Sequence, residues 1–205
     1  MIYLVKMPWL VKKIYPSCIW DLPTTEKKIY LSFDDGPHEI ATPFVLDQLA
    51  KYQAKATFFC LGKNVLRFPE IYKRILLEGH RVGNHTQNHM NGRRVKDSEY
   101  FKDIEEAKKW IDSNLFRPPY GRISSFQTDC LKKAGFKIVM WDVLSADFDT
   151  SKTGENCAHN VKKLARKGSI VVFHDSQKAW DRLKIAVPDV LDFFSENKYQ
   201  FDMIG

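Results

Sequence analysis

The sequence predicts an α/β fold, a distorted (β/α) barrel of about seven parallel strands, on three observations. Strand-like and helix-like stretches alternate along the whole chain with no Gly/Ser-rich linker or internal repeat between them, a pattern that pairs strands in parallel and puts helices outside. The 205 residues suit one domain, at about 150 residues per domain. Ionisable clusters recur just after the C-terminal ends of strands, the rim where barrel enzymes assemble their sites. Seven strands fall short of a full eight-unit barrel, hence the distortion; a doubly wound open sheet is the alternative.

Each element has its own local reason. Residues 28–33, KIYLSF, read as a strand closed by the turn cluster Asp34-Asp35-Gly36-Pro37. Thr42 is the expected N-cap of a helix with Pro43 at its first position and Val45, Leu46 and Leu49 buried. Residues 56–61 form an apolar strand. A helix then enters at Pro69, runs through Ile71, Ile75 and Leu76, and stops at Gly79, where a left-handed cap has no steric cost. Residues 80–83 deliver His85. Asp97 or Ser98 caps a helix in which Phe101, Ile104, Ala107 and Ile111 recur at helical spacing. Leu115-Phe116 lead into Arg117-Pro-Pro-Tyr120, and a helix over 125–134 closes at Gly135. A strand over 136–143, a polar loop over 144–153 and a helix over 155–166 follow. The β-branched strand 169–173 delivers His174-Asp175, and a helix over 188–197 and a strand over 199–203 finish the chain.

With 44% hydrophobic and 28% charged residues the chain can bury a core, which excludes a disordered or low-complexity protein. Lys+Arg 32 against Asp+Glu 25 leaves a net charge of +7. No nucleic-acid motif accompanies that excess and the basic residues are spread over several helices, so no nucleic acid is expected as partner. Cys18, Cys60, Cys130 and Cys157 form no C-x-x-C pair and are expected as reduced thiols. The apolar start MIYLVKMPWLVKKIYP is interrupted by Lys6, Pro8, Lys12 and Lys13, is too short to span a bilayer, and lacks a cleavage site. Residues 1–27 are therefore expected as an N-terminal docking segment on the domain, with a surface-seeking amphipathic helix as the alternative. Without a signal-peptide pattern the cytoplasm is the default compartment, and cell-envelope association the other option.

His85-Thr-Gln-Asn-His89 places two imidazoles at i, i+4, which on one helical turn would point the same way and hold one divalent cation. The Asp34-Asp35 pair offers the third ligand of a two-His, one-carboxylate set. Neighbouring strand side chains alternate, so the Gly36-Pro37 turn is expected to let the two aspartates splay, one toward the metal and one toward water as general base. A metal that acidifies water and polarises a carbonyl points to hydrolysis of an acyl bond. Arg117, pinned by Pro118 and Pro119, could grip a carboxylate bidentately, and the Tyr120 N–H could face a tetrahedral oxyanion. His174 is the candidate general acid, with Asp147 raising its pKa.

Ser32-Phe-Asp-Asp-Gly-Pro37, His85-Thr-Gln-Asn-His89, Arg117-Pro-Pro-Tyr120, Trp141-Asp-Val-Leu-Ser-Ala-Asp147-Phe148 and Val172-Phe-His174 resemble, in order, the five motifs of the polysaccharide deacetylases of the NodB-homology type, carbohydrate esterase family 4. The resemblance covers about residues 28–203 and implies a catalytic domain over 28–205. It implies Asp34 as the base, Asp35, His85 and His89 as ligands of a divalent metal, usually zinc and in some members cobalt or nickel, and Arg117 as the holder of Asp34. It further implies His174 as the acid toward the leaving amine, tuned by Asp147, and a substrate pocket built from Tyr120, Pro118, Phe148 and Val172. The implied substrate is an acetylated carbohydrate polymer or oligosaccharide: N-acetylglucosamine units of peptidoglycan or chitin, with O-acetylated xylan as the alternative. Phe148 stands where the family usually has Trp, and Val172 where it usually has Leu; the missing signal peptide is a third departure.

Overall fold

Seven strands curl into a barrel that strand pairing alone leaves open along one side, in a computed structural model that describes residues 3–205. Met1 and Ile2, the first residues of the expected docking segment, lie outside the described residues. β1 (Lys28–Asp34), β2 (Ala56–Cys60), β3 (Arg81–Asn84), β4 (Leu115–Phe116), β5 (Lys137–Ile138), β6 (Val143–Leu144) and β7 (Ile170–His174) follow the order β5-β4-β3-β2-β1-β7-β6. Every neighbouring pair is parallel, and β8 (Gln200–Phe201) joins the start of β1, also in parallel. The distorted (β/α) barrel expected from the alternation is the architecture that forms.

The helices are α1 (Trp9–Ile14), α2 (Ala41–Lys51), α3 (Gly62–Arg67), α4 (Pro69–Leu77), α5 (Asp97–Lys108), α6 (Ser125–Lys133), α7 (Gly154–Leu164) and α8 (Trp180–Glu196). In β1, Leu31 and Phe33 join Val171 and Phe173 of β7 in the main apolar cluster, with Val45, Leu46 and Leu49 of α2 and Leu183, Val187 and Leu191 of α8. Ser32 and Asp34 alternate to the opposite face, into the barrel, in register with Val172 and His174. Both faces of the central strands are thus buried, as parallel sheets require.

Several elements differ from expectation for identifiable reasons. α2 begins at Ala41 rather than after Thr42, because the His38 ring accepts the N–H groups of Ile40 and Ala41 and so caps the helix. The strand expected over 136–143 is split into β5 and β6, because the carbonyls of Val139 and Met140 turn to the Arg117 guanidinium. α8 starts at Trp180 and carries Pro188 inside it. Burying one large apolar side chain contributes about 1.5–3 kcal/mol. α8 buries Leu183, Val187, Val190, Leu191 and Phe194, which together outweigh the cost of about 3 kcal/mol for proline in a helix interior. α3 had no counterpart among the expected helices.

The N-terminal residues span the open side, between β5 and β6. Met7 N donates to Asp142 O and Leu144 N to Val5 O on one edge, while Ile19 N donates to Ile138 O and Met140 N to Ile19 O on the other. α1 itself buries no side chain and is anchored by polar contacts, while Trp20 is buried and Ile19 and Leu22 pack against an apolar cluster. The Asp142 carboxylate, 2% exposed, receives Lys6 at 2.5 Å, Lys12 at 2.6 Å and the Ser169 hydroxyl at 2.6 Å. Lys12 also pairs with Asp21. No helix of the described residues is long and apolar enough to cross a membrane.

Candidate active site

The polar residues meet at the C-terminal ends of the strands, and the local backbone there is unusual. Seven non-glycine residues have positive φ among the described residues, and five of them, Asp35, Thr86, His89, Tyr120 and Ala146, lie in the loops of this rim. Such conformations persist only where surroundings impose them, so the strain is concentrated at one site. Asp35, with φ 81°, shows how two adjacent aspartates face one pocket: the reversal is in the Asp35 backbone itself, not in the Gly36-Pro37 turn expected to supply it.

His85 and His89 do not sit on a helical turn either; residues 85–89 form a loop with positive φ at Thr86 and His89. Asp103 of α5 fastens that loop, its Oδ2 accepting Gln87 N and Asn88 N at 2.9 Å each and its Oδ1 accepting Asn88 Nδ2 at 2.6 Å. His85 Nδ1 lies 2.7 Å from Arg117 O. A carbonyl only accepts, so Nδ1 carries the proton and Nε2 presents a lone pair. That Nε2 is 3.7 Å from Asp35 Oδ1, and His89 Nε2 is 3.2 Å from the same oxygen. Burial, then the nearby His89, pulls His85 down to about 3, and burial also lowers His89, so both rings are neutral at neutral pH.

These three ligand atoms lie within 4.8 Å of one another, and Asp35 Oδ1 is buried without a hydrogen-bond partner. Acceptor atoms converging on one point repel unless a cation lies among them. Tetrahedral zinc, with bonds of about 2.0–2.2 Å, spaces its ligands roughly 3.3 Å apart, so the donor set fits a divalent cation.

Arg117, fully buried, reaches Asp34 Oδ1 with Nη1 at 2.6 Å and Ser32 Oγ at 2.8 Å. Its Nε and Nη2 go to Val139 O at 3.3 Å and Met140 O at 3.0 Å, and its plane lies 3.9 Å over the Phe59 ring. The contact with Asp34 is therefore single rather than bidentate, and the second Asp34 oxygen stays outside the ion pair.

Asp147, fully buried, holds His174 twice: Oδ2 accepts the backbone N–H and Oδ1 faces Nδ1, each at 2.7 Å. Burial alone lowers His174, but the charge and hydrogen bond of Asp147, with Asp35 and Asp34 behind them, push it up to about 9. The ring stands edge to face with Phe148 at 5.4 Å, and Phe148 in turn with Tyr3 at 5.0 Å, whose hydroxyl donates to Asp149 at 2.5 Å. Tyr120, 55% exposed, covers His89 at 4.5 Å with its hydroxyl 3.1 Å from Nδ1. Pro118 is buried, and Val172 lies two residues below His174 facing the barrel interior at 1% exposure.

Asp34, Asp35, His85, His89, Arg117, Tyr120, Asp147 and His174 thus share one rim, with Phe148 at its wall and Pro118 and Val172 beneath it. Sequence reasoning missed Ser32, Asp103 and Tyr3. Asp103 had a signal: Tyr100, Asp103, Ile104 and Ala107 share the buried stripe of α5, and a carboxylate in such a stripe needs a partner. Ser32 is the polar residue inside an apolar strand, on the face of Asp34. Nothing local distinguishes Tyr3.

Comparison with known proteins adds the following. The sequence profile of the family described as Polysaccharide deacetylase matches residues 21–139. A peptidoglycan-N-acetylglucosamine deacetylase of Bacillus cereus is 37% identical over 200 residues, 94% of this chain and 94% of that protein. A chitooligosaccharide deacetylase of Azorhizobium caulinodans is 34% identical over 157 residues, 73% of this chain and 74% of that one. The crystal structure of the Bc1960 peptidoglycan N-acetylglucosamine deacetylase, in complex with 4-naphthalen-1-yl-N-oxidanyl-benzamide, matches with a TM-score of 0.89 at 29% identity, covering 97% of this chain and 95% of that one.

Proposed function

Because this chain belongs to the polysaccharide deacetylase family, and is with it a hydrolase of carbon–nitrogen bonds other than peptide bonds, we propose that it removes acetyl groups from N-acetylglucosamine units of a peptidoglycan- or chitin-type polymer or oligosaccharide. The observation that carries the reading is the convergence of Asp35, His85 and His89 beside an Asp34–Arg117 pair and an Asp147-held His174. The names of the relatives support the N-acetylated sugar as substrate. We assign residues 28–205 as the catalytic domain and 1–27 as a segment docked on it, a division supported by the contacts along the open side of the barrel.

A divalent cation held by Asp35, His85 and His89, zinc first with cobalt or nickel as substitutes, supplies a Lewis acid for the acetyl carbonyl and makes water more acidic. Asp34 takes the proton of the attacking water through its free oxygen, while Arg117 fixes the other one. The Tyr120 N–H faces the oxygen that gains charge as water adds to the acetyl carbon. His174, cationic at neutral pH, gives its proton to the sugar nitrogen as the carbon–nitrogen bond breaks, leaving acetate and a free amine. Phe148, Pro118 and Val172 form the apolar side of the pocket around the acetyl methyl.

The test is acetate release from peptidoglycan, chitin oligomers and acetylxylan. Release from the N-acetylated substrates, abolished by chelation and restored by zinc or cobalt, is expected. Activity that survives complete metal removal overturns the metal role, and release from acetylxylan alone replaces the amide reading with an ester one. Asp34→Asn is expected to lose turnover and keep metal; loss of metal instead would exchange the roles of Asp34 and Asp35.

A further inference from the structure

We infer that Asp175 and Asn64 are positioning residues that hold the Asp35 backbone in its left-handed conformation, so that its carboxylate meets His85 and His89. The inference rests on the reading of Asp35, His85 and His89 as one cation-binding set.

Asp34 points into the barrel, so a strand continued by one residue would send the Asp35 side chain to the opposite, helix-packed face. The φ of 81° reverses it. L-residues other than glycine rarely adopt that conformation, so something must impose it. The two peptide planes flanking the Asp35 α-carbon set its φ and ψ, and both are held from outside. The preceding plane is fixed by Asp175 N, which donates to Asp34 O at 3.1 Å. The following plane is fixed at both ends: Gly36 N donates to Asp175 Oδ1 at 3.1 Å, and Asp35 O accepts from Asn64 Nδ2 at 2.7 Å.

Asp175 is itself rigid. It is fully buried, and its Oδ2 takes the Thr42 hydroxyl at 2.5 Å, while Thr42 Oγ1 accepts His38 N at 2.7 Å. Both of its oxygens are thus engaged, one by Gly36 N and one by the Thr42 hydroxyl. The fit is close enough to require glycine at position 36: a Cβ there would lie 2.0 Å from Asp175 Oδ2. Asp175 follows His174 directly, so the end of β7 sets the acid with one residue and the ligand loop with the next.

The experiment measures zinc affinity of the whole chain by competition with a chromophoric chelator, alongside the visible spectrum of the cobalt form. Asp175→Ala and Asn64→Ala are each expected to weaken zinc binding about tenfold to a hundredfold and to alter the cobalt spectrum. Asp175→Asn, whose amide can still accept from Gly36 N and donate to Thr42, is expected within about threefold of the native chain, a rescue that a charge effect would not give. Native affinity and spectrum in Asp175→Ala overturn the inference. If that variant fails to fold, Asn64→Ala, on the half-buried side of α3, decides in the same way. A native chain that binds no zinc, or a His89→Ala variant that binds it as the native chain does, overturns the cation-set reading and the positioning together. Unchanged binding in the Asp175 and Asn64 variants alone, with His89→Ala defective, overturns only the positioning.

Discussion

His174 is where residue-level electrostatics has the most direct consequence. Its pKa, pushed up to about 9 chiefly by Asp147 against the opposing effect of burial, keeps the ring cationic across neutral pH. Activity is therefore expected to hold through neutral pH and to fall as pH rises through about 9, and Asp147→Asn is expected to move that alkaline limb toward the ordinary histidine value of 6.5. A pH–kcat profile of both proteins checks this; coincident limbs would remove Asp147 from the tuning role. Stability has the same sign. The folded-state value lies above the unfolded one, so the Asp147–His174 contribution is complete below 6.5 and is lost as pH rises through about 9. Residues whose chemistry is ionic could be read from type and from position at strand ends. Asn64 and Asp175 could not be, since they act on peptide planes and nothing in their type or spacing marks that role.

Among the elements, the connection over 139–142 leaves the ladder and is held by side chains from both directions. Asp142 anchors Lys6 and Lys12 from one side while Arg117 takes the carbonyls of Val139 and Met140 from the other. Asp142→Ala leaves Lys6 without its carboxylate and Lys12 with Asp21 alone. The expected loss is about 2–3 kcal/mol, below the roughly 3–5 kcal/mol of a fully buried pair because the two lysines keep 24% and 21% of their side-chain surface in solvent. Urea unfolding of the native and variant chains measures it; a difference under about 0.5 kcal/mol, the scale of an exposed pair, would mean that the Asp142 ion pairs add little to holding the segment. Strands with strong apolar runs, such as β2 and β7, were legible from composition. The division of 136–143 was not, because the residues that break the ladder are ordinary strand formers drawn off by a guanidinium some twenty residues earlier in the chain. The start of α8 was hidden by Pro188, whose usual meaning as a boundary yields here to a continuous buried stripe.

Across the whole molecule, Arg117 ties distant parts of the barrel together. From the end of β4 its guanidinium joins β1, through Ser32 and Asp34, to the connection between β5 and β6. Arg117→Ala strands a buried carboxylate and two carbonyls, and is expected to cost about 3–5 kcal/mol along with activity. Arg117→Lys, with one ammonium for four acceptors in three directions, is expected to recover little of either. Thermal unfolding of the two variants tests this, and a fully active Lys variant would show that charge alone suffices. Fold class was legible because alternation is a property of the whole chain that local errors do not erase. The open side, and that the N-terminal residues pair along it, were not, since closure there depends on pairings between residues more than a hundred positions apart.

Those same separations order events in time. Residues 3–21 are synthesised more than a hundred residues before the edges they cover, around residues 138–144. Through most of synthesis Leu4, Trp9, Leu10 and Ile14 therefore travel on a segment with no edge to join, made long before the part of the barrel it covers.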